Sequence, residues 1–231
     1  MDELKKLLEL PFNETPTEDM AKEIVSNLML NYVITKGDKE YEIIEAEFYY
    51  YSPSHPDITV YKRHMDGGRF FFHQSGLDIT FKSHIEEING KIDSQKSYFG
   101  GILIRALRQM DDKTFILGPM KCVDHLWDNF NALEKPALSE YPYLIHRPIE
   151  GVKPIAAENI VAEERHYPID DAKKADRAKS LNAKFDGEDQ DLDHWLNRHY
   201  RFVRNDIKPD EKSLKKYNNR KPSPCPNSWK S

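Results

Sequence analysis

The stretch YEIIEAEFYY (residues 41–50) decides the fold, because it reads as a strand carrying two carboxylates. Successive side chains of a pleated strand point to opposite faces. Strict alternation therefore predicts Glu42, Ile44, Ala46, Phe48 and Tyr50 on one side and Tyr41, Ile43, Glu45, Glu47 and Tyr49 on the other. Glu45 and Glu47 would lie about 6.6 Å apart along the strand. Two acids beside Tyr49, backed by a mostly apolar face, suggest the polar floor of a cleft. The ordinary alternative is a solvated strand face.

Upstream, Lys36, Gly37, Asp38 and Lys39 supply a turn, and the β-branched and aromatic run before it (residues 32–35) predicts a hairpin partner. Before that, Thr15, Pro16, Thr17 and Glu18 have the form of a capping box with proline at the first helical position. The helix they predict would pack Met20, Ile24, Val25 and Leu28 on the sheet and end near Asn31. Pro11 closes a short amphipathic opening.

Downstream, Pro53 and Pro56 break regular structure and are expected to present His55 from a loop. Lys62, Arg63, His64 and Arg69 surround a glycine turn, a basic loop suited to phosphate or simply to solvent. Phe70, Phe71 and Phe72 lead into two strands joined at Gly76, and at least one of these rings must face away from the other two. Residues 82–97 read as irregular or as a charged hairpin. GGILIRAL (residues 100–107) is a buried strand interrupted by Arg105; burying an arginine is costly unless it is paired, so it should meet a carboxylate, Glu45 or Glu47, or a phosphate. A turn at Gly118 and Pro119 opens a helix with Cys122, Val123 and Leu126 inside, and a helix start of this kind can hold an anion.

Five prolines (Pro136, Pro142, Pro148, Pro154, Pro168) make the next stretch loop or short strands. Residues 170–181 have helical composition, and residues 198–204 read as a late strand with basic side chains. From residue 206 onward there are seven basic residues against three acids, and the composition predicts a flexible basic tail.

At 231 residues, with 39% hydrophobic and 32% charged side chains, the chain suits one large globular domain. The expected class is α+β: a curved, mainly antiparallel sheet flanked by helices over residues 1–205. A net charge of −5 argues against nucleic-acid binding by bulk electrostatics. No apolar run approaches the roughly 20 residues that cross a bilayer, the charged opening is no signal peptide, and a cytoplasmic location is the default expectation. Cys122 and Cys225 lack metal-ligand spacing and read as reduced thiols.

Taken in order, IIEAEFY (43–49), SPSHP around His55, FFF (70–72), GGILIRAL (100–107) and LGPMKC (117–122) give a chain that resembles the alkyladenine (3-methyladenine) DNA glycosylase family, with a weaker return at WLNRHYRFVR (195–204). The resemblance implies Glu47 as the water-activating acid with Glu45 as its neighbour. It implies Tyr49 and Phe72 as rings stacking on a flipped base, and His55 and Asp78 as pocket residues. Arg105 falls on the family's strand arginine and Lys121 on the basic residue after its turn, with Arg63 and Arg69 as further DNA contacts. The pattern departs at Ser75, where a bulky wedge is usual, and at Asp78, where an asparagine is usual.

The implied activity is a monofunctional, monomeric DNA glycosylase that removes alkylated or deaminated purines from double-stranded DNA without metal or organic cofactor. Such an enzyme extrudes the nucleotide because its bond cannot be reached inside the stack. Two other readings stay open at this point: a protein of the same fold that binds nucleic acid without cleaving it, and a hydrolase of free nucleotides using Glu45 and Glu47.

Overall fold

The computed structural model describes residues 2–9, 15–127, 130–146, 156–166, 169–218 and 225–230. Pro11, Pro148, Pro154 and Pro168 lie outside them. Helix α1 spans Asp2–Leu7 and α2 Glu18–Asn31; strands β1 (Tyr32–Lys36) and β2 (Lys39–Ser52) follow as a hairpin about Gly37, whose φ of 63° favours glycine. Next come β3 (His55–Pro56), β4 (Phe70–His73), β5 (Gly76–Thr80), a small hairpin of β6 (Glu87–Ile88) and β7 (Lys91–Ile92), β8 (Phe99–Gln109), β9 (Phe115–Leu117) and α3 (Pro119–Leu126). The chain continues through β10 (Tyr143–His146), β11 (Ile160–Glu163), α4 (Lys174–Asn182), α5 (Leu192–Leu196), β12 (Arg201–Arg204) and α6 (Glu211–Asn218).

The expected α+β class is what the protein adopts, a single domain around a curled, antiparallel half-barrel sheet. Its path runs β10, β1, β2, β8, β5, β4, and β12 pairs with β2 and with β11. Strand β2 is the hub, bonded to β1, β3, β8 and β12. Helix α2 covers one face with Ala21, Ile24, Val25 and Leu28, which join Phe48, Tyr50, Phe81 and Ile104 in the main core. Thr17 caps this helix, its hydroxyl accepting from the Met20 amide at 3.1 Å. The cap is therefore two residues later than Thr15, and Pro16 stands before the helix.

One departure inside β2 matters for everything beyond it. Its register against β8 shifts between Ile43, Glu45 and Ala46, which is a β-bulge. The extra residue reverses the alternation: Tyr41 and Ile43 share the α2-side core with Ala46, Phe48 and Tyr50, whereas Ile44 packs on the opposite face with Ala106, Leu117 and Val203. Strict alternation thus fails before the bulge and holds after it, where Glu45, Glu47 and Tyr49 point together. Close strand pairing there depends on Gly100, where a Cβ would collide with the Tyr49 carbonyl oxygen.

The expected flexible tail is a second departure. Ile207, Tyr217, Cys225 and Trp229 are buried against Ile44, Ala106, Leu117 and Val203, and Trp229 Nε1 donates to the Arg204 carbonyl at 2.9 Å. Its charges mask a few well-spaced apolar side chains that close the face of the sheet opposite α2. Both cysteines are buried thiols outside any disulfide. No helix among the described residues is long and apolar enough to cross a membrane.

Candidate functional site

The acids of β2 stand between two rows of arginine. β8 supplies Arg105 and Arg108 on one side, β12 supplies Arg201 and Arg204 on the other, and the antiparallel registers bring them abreast. Arg105 Nε donates to Glu45 Oε1 at 2.7 Å and its Nη1 to Glu47 Oε2 at 3.0 Å. Arg201 Nε donates to Glu45 Oε1 at 2.8 Å, and the Tyr217 hydroxyl to Glu45 Oε2 at 3.3 Å. Glu42 meets Arg108 and Arg204 further along. Burial pushes the Glu45 carboxyl up, but Arg201 and Arg105 outweigh it and hold the group below its ordinary value, so it is ionised.

Glu47 and Glu45 are both 0% exposed. Glu47 Oε2 accepts from the Tyr49 hydroxyl at 2.9 Å as well as from Arg105, and Glu47 Oε1 accepts from the His166 backbone amide at 2.8 Å. Burial, then the Glu47 charge, raise the Tyr49 phenol well above its ordinary value, so it stays a neutral donor. The Arg165 guanidinium lies 4.6 Å from the centre of the Tyr49 ring and is anchored by Asp57 at 2.7 Å.

In front of this cluster is a cavity of about 750 Å³ whose lining includes Tyr49, Arg105, Leu103, Tyr217 and His166. Tyr61 and His73, with rings 4.4 Å apart, line it together with Asp78 and Arg63. Gly118, Pro119, Met120 and Lys121 at the start of α3 contribute another wall, and Lys173 and Arg177 add cations. Asp78, 2% exposed, pairs with Arg63 and accepts from His73 Nε2 at 3.0 Å. His73 Nδ1 accepts from the Ser75 amide at 3.2 Å, which leaves Nε2 as the donor to Asp78. Burial raises the Asp78 carboxyl, but Arg63 and His73 together lower it below its ordinary value. Among the described residues, no group of three or more His, Cys, Asp or Glu is placed to hold a metal ion.

Of the residues singled out in the sequence, Tyr49, Arg63, Asp78, Arg105 and Lys121 line this cavity, and Glu45 and Glu47 lie directly behind it. Three do not reach it. His55 is buried beneath Trp195; its Nδ1 donates to the Tyr50 carbonyl at 2.7 Å, which leaves Nε2 to accept from the Tyr200 hydroxyl at 2.9 Å. Burial lowers its pKa, so it is a neutral core histidine rather than a pocket residue. Phe72, 47% exposed, packs on Trp127 away from the cavity. The β4–β5 register explains why: Phe71, not Phe72, stands opposite Asp78, and Phe71 lies 4.3 Å from the Arg63 guanidinium. Arg69 is exposed beside Asp66.

Tyr61, His73, Arg165, His166, Arg201 and Tyr217 belong to the cavity or its supports without having been marked as such in the sequence. Parity along FFFH, which sets Phe71 with His73, could have found His73; nothing local in the chain marks Tyr217 or His166. No protein-family model matches this chain, and no curated protein matches it either.

Proposed function

We propose that the cavity receives a purine base extruded from double-stranded DNA and that the protein hydrolyses its N-glycosidic bond with Glu47 as general base. One observation carries this reading: the two side chains that bond Glu47 Oε2, Tyr49 and Arg105, are also walls of a cavity large enough for a nucleoside and lined by further rings and cations. The base would stack against the aromatic walls, while Lys121, Lys173 and Arg177 suit the adjoining phosphates. The departing base leaves an oxocarbenium-like sugar. A buried carboxylate stabilises that positive charge and takes a proton from the attacking water, general base catalysis being worth about 10²–10⁴-fold. Among the described residues Glu47 Oε1 accepts one bond, from the His166 amide, which leaves it an acceptor direction for that water. Hydrolysis of this kind calls for no metal or organic cofactor.

A second reading has one specific observation in its favour. Glu45 and Glu47 are sealed from solvent and paired with arginines, as acids of a structural ion-pair cluster are, so the same cavity could bind a base without cleaving it. Duplexes carrying 3-methyladenine, 7-methylguanine, hypoxanthine or ethenoadenine separate the two. Abasic sites in at least one support hydrolysis; tight lesion binding with no release from any supports the binding protein.

A further inference from the structure

His166 lines the cavity wall, and its Nε2 is buried without a hydrogen-bond partner among the described residues. A buried, unsatisfied ring nitrogen forfeits about 1–3 kcal/mol, and such atoms in a folded protein call for a reason. The position is not accidental. His166 is fixed at its backbone, where its amide holds Glu47 Oε1, and the preceding residue is locked by Asp57, by the Phe48 carbonyl at 3.4 Å and by the Trp195 carbonyl.

We propose that the His166 imidazole is a ligand-binding group of this cavity, completing its hydrogen bonding through Nε2 with a polar atom of the bound nucleoside. The inference rests on the reading of the cavity as a base receptor and adds to it a recognition residue beside the acid. Burial first, then the nearby Arg105 and Arg201, push the ring pKa down to about 3, so it meets its ligand as a neutral imidazole with one donor and one acceptor nitrogen rather than as a cation. It therefore favours a neutral polar edge, such as an amide or amine of a base or a sugar hydroxyl, and leaves the anionic groups of the ligand to Lys121, Lys173 and Arg177.

The test uses a duplex carrying hypoxanthine, bound to the full chain with Glu47→Gln as background so that the duplex stays intact. His166→Ala is expected to weaken binding about tenfold, the worth of one hydrogen bond to a buried group. His166→Asn should recover part of the loss, and the Nε2 resonance of ring-labelled protein should move when the duplex binds. Because His166→Ala keeps the backbone amide on Glu47 and removes an unsatisfied atom, its urea midpoint should not fall. Unchanged binding with an unmoved resonance overturns the inference and leaves base recognition standing. Binding lost in parallel with stability, and not recovered by asparagine, overturns it also. A Glu47→Gln protein that binds no lesion duplex at all removes the base-receptor reading and this inference together.

Discussion

Arg105 answers to two carboxylates at once, so its loss leaves two buried acids short of a partner. Its guanidinium is buried with Glu45 and Glu47 on β2, and their charges raise its pKa against the effect of burial. Arg105→Met keeps the volume but strands two acids with fewer partners, so stability should fall by about 3–5 kcal/mol in urea unfolding. If the midpoint barely moves, the acids are not held as charges. His55 makes a prediction of the opposite chemical kind. Its folded pKa is lowered, so the unfolded chain binds a proton that the folded chain refuses, and stability should decline as pH falls below about 6.5. His55→Asn should remove up to one proton's worth of that slope, about 1.4 kcal/mol per pH unit, when urea midpoints are compared between wild type and variant. The lowered Glu45 and Asp78 carboxyls add a further loss only at lower pH, below the ordinary carboxylate range.

At the scale of elements, β2 shows both how far the sequence can be read and where reading stops. The hydrophobic run, the turn at Gly37 and the charge inside GGILIRAL point to β1, β2 and β8 and to Glu45 or Glu47 as a partner for Arg105, because strand periodicity and the cost of a lone buried charge are local arguments; that Arg105 bonds both acids at once is seen only in the structure. The bulge that turns Glu45, Glu47 and Tyr49 to one side while reversing Tyr41 and Ile43 was not legible, since a bulge is a property of the pair of strands. The same limit misplaced Phe72, whose face is set by its register with β5, and His55, which Trp195 and Tyr200 enclose from 140 or more residues away in sequence. Gly100 tests this element directly. Gly100→Ala pushes a methyl group into the backbone of Tyr49 and Tyr50, and is expected to destabilise the protein by about 1–3 kcal/mol while weakening lesion binding. Unaltered thermal unfolding would show that β2 and β8 do not need that close approach.

The whole molecule is a sheet closed on one face by α2 and on the other by its own C-terminal segment, and the cavity lies where that second closure meets α3. Tyr217 belongs to both the closing cluster and the cavity wall. Truncation after Asp206 removes Ile207, Tyr217, Cys225 and Trp229 from the apolar packing on the face of the sheet opposite α2 and should lower stability by several kcal/mol, at about 1.5–3 kcal/mol for each large apolar side chain exposed. A truncated protein with an unchanged urea midpoint would mean that this segment merely rests on the sheet. We propose above that Glu47 drives hydrolysis of the N-glycosidic bond of a base held in the cavity in front of it. The most direct measurement of that proposal follows, on one hypoxanthine duplex, both binding and release of free base by wild type and by Glu47→Gln. Binding by both proteins, with base released by wild type and release by the variant reduced about 10²–10⁴-fold, is the expected result; equal release by the two proteins, or none by wild type despite tight binding, contradicts it.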